Sequence, residues 1–315
     1  MEGGSRLVVL AALSGNAVIA VIKFVAALLS GSAGMFSEGI HSAVDTANQG
    51  LLLYGMHRAK RPADEDFPFG YGKEVYFWCF VVAVQLFGIG AVFSIYDGVQ
   101  HIISGSPIED ARISYIVLGL ALVFEGSSWG FALFNFSREK GRNTYFEAIR
   151  RGKDPTMFMV LFEDTAAILG IVVAFLGVFL TAHTGNEVFD GIASILIGII
   201  LGVTAALLGR EVKGLLIGES ANRPVVRGIR ELALSFPEID AIHETLTMHV
   251  GPEFILVNIS VAFKNEISAR EVADAAARLD REIKARFPHV KRVFIEAETG
   301  FRQIAESVDQ EETHG

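Results

Sequence analysis

Residues Ser37-Glu38-Gly39-Ile40-His41-Ser42-Ala43-Val44-Asp45-Thr46-Ala47-Asn48-Gln49 decide how the whole chain is read. On a helix His41 and Asp45 lie one turn apart and project from one face, and Asn48 and Gln49 continue the stripe. Such polar density would be ordinary in a water-soluble helix. Here it falls within Ala33–Met56, one of six windows long and apolar enough for the about 20 residues that a bilayer core requires. The others are Leu7–Leu29, Val75–Ile103, Ile113–Phe136, Thr156–Leu180 and Val188–Leu208. An ionisable group at that depth costs about 2.5–3.5 kcal/mol on insertion scales, so each one needs a functional or structural reason.

The composition supports this division. Of 315 residues 51% are hydrophobic, and they are unevenly spread. Long apolar stretches run up to Leu208, and charged and apolar residues mix from Gly209 onward. The expected organisation is a six-helix transmembrane domain over 1–208, a small soluble domain over 209–302 and a disordered acidic tail over 303–315. The first apolar stretch is too long for the h-region of a cleavable signal and reads as a span. A net charge of −9 argues against nucleic acid as a partner, since phosphate binding requires a basic face. Cys79 is the single cysteine, so the chain has neither an intrachain disulfide nor a thiolate cluster for a metal.

Loop charges orient the spans. Arg6, Arg58, Lys60, Arg61, Lys73, Arg138, Lys140, Arg142, Arg150, Arg151, Lys153, Arg210 and Lys213 fall on one side and Arg112 on the other. By the positive-inside rule both termini and the soluble domain are cytoplasmic, with a bacterial inner membrane as the expected location.

An imidazole and a carboxylate stacked as His41 and Asp45 are can form half of a tetrahedral site for zinc or a similar divalent ion, or an interhelical hydrogen-bonded pair. The other half should come from a facing helix. The fifth window supplies Glu163 and Asp164, an adjacent acid pair at mid-span. Adjacent helical residues point about 100° apart, so one is expected as a ligand and the other beside it. Glu125 reads equally as a proton or metal relay and as a hydrogen-bonding group of the bundle. Asp190, at the start of the sixth window, reads mainly as a capping or packing residue.

Six spans, His41-x-x-x-Asp45 in the second, an acid in the fifth and a soluble C-terminal domain together resemble the cation diffusion facilitator family. The run from Ser37 to Asp45 with Asn48-Gln49, and Arg61-Pro62-Ala63-Asp64 leading to Pro68-Phe69-Gly70-Tyr71-Gly72-Lys73-Glu74, are similar to the family's second helix and following loop. The resemblance implies a homodimer that exchanges a divalent cation, usually zinc, for protons, with two ligands from helix two and two from helix five. The usual fifth-helix histidine position is Val160, which cannot coordinate a metal. Three family-type ligands remain, His41, Asp45 and Asp164. The run Phe162-Glu163-Asp164-Thr165-Ala166-Ala167 resembles the branch of the animal zinc transporter nine, a resemblance that implies Glu163 as the source of the fourth oxygen. A carboxylate in place of an imidazole shifts preference toward manganese or iron. A second site known in relatives maps to Asp64, Phe67 and Tyr71 and is expected to be absent.

After Gly209 the pattern is a helix around Pro224–Ser235, strands over Ala241–Val250 and Phe254–Phe263, a helix over Ser268–Phe287 with a Ser268-x-x-Glu271 capping box, and a strand over Val290–Ala297. This order resembles the family's ferredoxin-like cytoplasmic domain. The resemblance implies a metal site at His243, Glu296 and Glu298, with Asn258 in place of a second histidine and His249 or His289 as compensating ligands. The expected function is a non-enzymatic secondary transporter that exports a divalent metal, zinc foremost, from the cytoplasm in exchange for protons. A metal channel or receptor without proton coupling is the alternative. An intramembrane hydrolase would need an HExxH-type helix, and the sequence has none.

Overall fold

The computed structural model describes residues 2–30, 33–104, 111–140, 144, 148 and 152–298, and side chains at 2–5, 26, 27, 29, 30, 33–41, 111, 113 and 139 lie outside that description. The expected acidic tail at 303–315 lies outside the described residues. The chain divides into two compact units at Ile217/Gly218.

The first unit is helical. Its elements are α1 (Glu2–Ser30), α2 (Ala33–Arg58), α3 (Glu74–Ser104), α4 (Ala111–Glu139), α5 (Pro155–Thr184) and α6 (Val188–Ile217). Among the described residues five of these are long and apolar enough to cross a membrane; α2 is not one of them. With 26 residues, α2 reaches about 39 Å at 1.5 Å per residue, ample for a core about 30 Å thick. Its polar stripe is what lowers its hydropathy. That stripe is turned inward, with Asp45, Asn48 and Gln49 buried while Leu7, Val21, Phe87, Val123, Phe179 and Ile199 on the other helices are exposed. A bundle with apolar side chains outside and polar ones inside suits a lipid solvent.

Local chemistry fixes the helix ends. Asp154 caps α5 by accepting a bond of 3.0 Å from the Thr156 N–H, with Pro155 in the first turn where its missing N–H costs nothing. Gly185, at φ +70°, ends the same helix in the left-handed conformation that glycine tolerates best. Within α3, Leu86–Val92 forms a π-helical turn. The helices α3 and α6 pack closely through glycine. A Cβ on Gly98 would lie 2.6 Å from the Gly191 carbonyl oxygen, and one on Gly198 would lie 2.8 Å from that of Ala91. Helix α5 packs against α4 and α6, and α2 against α1 and α3.

The second unit runs α7 (Arg223–Leu234), β1 (Ile239–Gly251), β2 (Phe254–Phe263), α8 (Ala269–Arg286) and β3 (Val290–Ala297). The sheet order is β1-β2-β3, with β2 antiparallel to β1 and parallel to β3. Ile255, Val257, Ile259 and Val261 alternate inward from β2. They meet Ala275, Leu279 and Ile283, spaced four apart on α8, and Ile229, Leu232 and Ala233 of α7. The expected α-β-β-α-β order is present, and so is the capping box: the Ser268 hydroxyl accepts from the Glu271 N–H while the Glu271 carboxylate accepts from the Ser268 N–H. This is a small α+β domain of the ferredoxin-like kind, appended to a membrane-type helical unit.

Candidate metal site in the helical unit

Among the described residues four carboxylates are buried in the interior of the first unit: Asp45 on α2, Glu125 on α4, and Glu163 and Asp164 on α5. Asp45 and Glu125 are near enough to Glu163 and Asp164 for their charges to repel. An acidic cluster in an apolar bundle persists only with protons, a cation or strong hydrogen-bond donors beside it. The donors are polar side chains from facing helices. Asn48 Nδ2 donates to Glu163 Oε1 at 2.9 Å, and Gln49 Nε2 donates to Glu163 Oε2 at 3.2 Å. Ser128 of α4 donates its hydroxyl to Asp164 Oδ2 at 2.7 Å. Trp129 Nε1 donates to Thr165 Oγ1 at 2.9 Å, and Thr165 in turn donates to the Leu161 carbonyl at 2.6 Å.

The adjacent acids therefore separate as helical geometry requires. Glu163 turns toward α2 and Asp164 toward α4. Helices α2 and α5 are linked across the interior by the long side chains of Asn48, Gln49 and Glu163 rather than by extensive backbone packing. Among the described residues the buried amide oxygens Asn48 Oδ1 and Gln49 Oε1 have no hydrogen-bond partner. Asp45 shares the buried face of α2 with these amides. The side chain of His41, one turn before Asp45, lies outside the described residues, as does that of Glu38. Among the described residues no three His, Cys, Asp or Glu side chains converge closely enough to hold a metal.

Sequence reasoning overlooked one participant. Lys23 of α1 is buried at 6% exposure and donates to the Ser42 hydroxyl at 2.8 Å, beside the α2 polar stripe. A lysine within an apolar window was the available signal. Asp190 lies in the first turn of α6, where its Oδ2 is 3.3 Å from His101 Nε2 of α3. The two side chains thus lie side by side between α3 and α6.

In the loop after α2 the Asp64 carboxylate is already engaged. It accepts from the Phe67 N–H at 2.8 Å and from the Tyr71 hydroxyl at 2.6 Å, and the Arg61 guanidinium lies 4.5 Å over the Tyr71 ring. The Tyr71 hydroxyl, foremost among these contacts, holds the Asp64 carboxyl below the usual aspartate range.

The second unit divides its expected ligands. His243 sits at an irregularity of β1 between the Ile242–Val261 and Glu244–Ser260 pairs, and Glu296 lies opposite Ser260 on β3. The Glu298 N–H donates to the Val261 carbonyl, so these three residues share one end of the sheet. Glu296 accepts from Asn258 Nδ2 at 3.2 Å. His249 pairs with Ile255, which neighbours Val290, at the other end of the sheet. Six residues of strand separate His249 from His243 by about 20 Å, so His249 cannot compensate at that site. His289, whose carbonyl accepts from the Ile255 N–H, falls at the distant end too.

Comparison with known proteins places this geometry in context. Residues 9–217 match the cation efflux transmembrane domain, and residues 222–299 match the cation efflux protein cytoplasmic domain. The chain is 33% identical over 270 residues to the mouse protein named proton-coupled zinc antiporter SLC30A9, mitochondrial, covering 85% of this chain and 47% of that protein. It is 29% identical over 265 residues to metal tolerance protein C4 of Arabidopsis thaliana, covering 84% of this chain and 58% of that one. It is 22% identical over 312 residues to the manganese efflux system protein MneP of Bacillus subtilis, covering 95% of this chain and 97% of that one. The chain spans about half the length of the animal relatives it matches. With both domains matched in order and an inward-facing acidic interior between apolar helices, the chain is a multi-pass integral membrane protein of the cation efflux, or cation diffusion facilitator, family of transporters.

Proposed function

We propose that this protein is a secondary transporter that exports a divalent transition metal from the cytoplasm in exchange for protons, with zinc as the foremost substrate. The observation that carries this reading is the buried set of Asp45, Glu125, Glu163 and Asp164 on three facing helices. His41, Asp45 and Asp164 are the proposed ligands. Glu163 completes the site from a position fixed by Asn48 and Gln49. A metal ion entering between α2 and α5 relieves the repulsion among the acids. Ligands must be deprotonated to bind it, so protons leave as the metal arrives and return when it departs. That competition is the coupling. The relatives named as a proton-coupled zinc antiporter and as a manganese efflux protein support the substrate class.

Both termini and the second unit are assigned to the cytoplasm from the Lys and Arg bias of the loops. Six spans are proposed, with α2 as the sixth, and a homodimer is the proposed assembly. Manganese or iron is the second reading for the substrate. The identified acid and amide groups offer only oxygen as a donor atom towards a metal, and harder ions prefer oxygen. A cytoplasmic metal site at His243, Glu296 and Glu298 is a further part of the proposal, without His249.

The test is flux into proteoliposomes across zinc, cadmium, manganese, iron and cobalt, with internal pH recorded by a trapped dye. Metal uptake coupled to opposite proton movement is expected. Uptake with no pH response makes the protein a channel, and absence of uptake for every metal overturns the reading.

A further inference from the structure

A second feature of the helical unit lies away from the acidic cluster. Where α2 ends and α3 begins, a cavity of about 420 Å³ is lined by Tyr54, Arg58, Lys73, Phe77, Trp78 and Leu216, among others. Its charges are unequal. Glu74 is fully engaged: Oε1 accepts from Arg58 Nε and Nη2 at 3.2 and 2.9 Å, and Oε2 accepts from Trp78 Nε1 at 2.8 Å. Lys73 Nζ makes a long bond of 3.3 Å to the Leu216 carbonyl in the last turn of α6. An ammonium carries three donors and a guanidinium five, so the cavity holds N–H groups well in excess of its acceptors. Its walls are aromatic, and Tyr54 and Phe77 are 47% and 49% exposed.

Basic donors combined with exposed aromatic rings at the end of spanning helices match an amphiphile that has an anionic head and an apolar body. A small anion in water would have no use for the rings. The surrounding loop adds Lys60 and Arg61, on the side of the bundle that carries most of the basic residues, where anionic lipid concentrates. We propose that this cavity binds the phosphate headgroup of an anionic phospholipid, with Arg58 and Lys73 on the phosphate and Tyr54, Phe77 and Trp78 along the glycerol and upper acyl chains. A lipid bound there would brace the junction of α2, α3 and α6.

The full-length protein in mild detergent is titrated with phosphatidylglycerol, phosphatidylcholine or inorganic phosphate, and lipid retention is read by native mass spectrometry beside the thermal unfolding midpoint. Phosphatidylglycerol is expected to be retained and to raise the midpoint, and the other two are not. Lys73→Gln should weaken retention about five-fold, the effect of one basic residue at a lipid surface, and Lys73→Arg should keep it. Equal retention of phosphatidylglycerol by Lys73→Gln overturns the proposal. So does equal retention of phosphatidylcholine, which would mean an apolar groove, or an equal midpoint shift with phosphate, which would mean a free-anion site. None of these readouts depends on metal transport.

Discussion

Glu163→Gln and Glu163→Ala should differ sharply in stability, because the carboxylate is held by two buried amides. In the wild type Asn48 Nδ2 and Gln49 Nε2 each donate to one carboxylate oxygen, and both amide side chains are at 0% exposure. Alanine strands both donors. In water, bonds to a charged group contribute about 1.5–3 kcal/mol each. Between membrane helices the measured average is nearer 0.6 kcal/mol, with a maximum of about 1.7, because the unfolded-in-membrane state finds other partners. The membrane figure applies here, so the two lost bonds should cost about 1–3 kcal/mol together. Glutamine behaves differently. Its oxygen can still accept from one amide, and its NH2 can donate to Asn48 Oδ1 or Gln49 Oε1, which have no partner among the described residues, once that amide rotates. Its cost should stay below about 1 kcal/mol. Unfolding by denaturing detergent in bicelles measures both values. Equal destabilisation by the two variants would refute the hydrogen-bond account of Glu163. Metal affinity on the same samples should fall about 10- to 100-fold in Glu163→Gln, the usual cost of disturbing a group at or beside a coordination shell. Unchanged affinity and pH dependence would make Glu163 a packing residue and leave the ion three protein ligands.

Asp45→Ala and Asp164→Ala should each abolish metal uptake by proteoliposomes while the protein still folds, and normal uptake by either would remove that residue from the site. Gly198→Leu should destabilise the bundle by about 1–3 kcal/mol or more through a clash with the Ala91 carbonyl, whereas Gly15→Leu, with nothing within 4 Å of its Cβ position, should be tolerated. Similar unfolding midpoints for the two variants would contradict the close approach of α3 and α6. Tyr71→Phe should move the Asp64 titration up toward the ordinary aspartate range, as read by carboxyl NMR. A carboxylate with a depressed folded-state pKa contributes stability above its ordinary pKa and loses it as pH falls through the folded value, so in the variant this contribution shrinks and disappears at higher pH. An unmoved Asp64 titration would show that the hydroxyl is not its main partner.

The second unit was the more legible in sequence. Strand β2 has the expected bounds, Phe254–Phe263, with every second residue from Ile255 to Val261 turned to the core, and β3 has the expected bounds Val290–Ala297. The capping box was readable for a similar reason, being wholly local. What failed was long-range register. His249 looks close to His243 along the chain, but an extended strand places them at opposite ends of the sheet. In the first unit the polar stripe of α2 was visible, and so was the acid pair of α5. Their pairing was not, since 115 residues separate Asn48 from Glu163 and no local pattern joins them. Ser128 lies three residues from Glu125 in sequence, yet its hydroxyl goes to Asp164. A side chain's partner follows from helix rotation in the bundle, which a single helix does not specify.

The conflict at α2 is where fold and function meet. The sequence of α2 carries Glu38, His41, Asp45, Asn48 and Gln49, more polar groups than any other long helix of this unit, and of these Asp45, Asn48 and Gln49 are buried. In a bundle with no other purpose that face would be the poorest choice, since leucine and glycine pack it at no desolvation cost. Hydrogen bonding alone is an incomplete reason to keep it, as among the described residues two buried amide oxygens have no partner even though both carboxylate oxygens of Glu163 are satisfied. The arrangement makes sense if the interior must accept a charged occupant for part of a cycle. A divalent ion would bring positive charge among the four acids and would accept lone pairs from the amide oxygens. In the proposed cycle protons take its place when it leaves. The polarity that makes α2 the least membrane-like of the long helices is therefore the property that a transported cation requires of it.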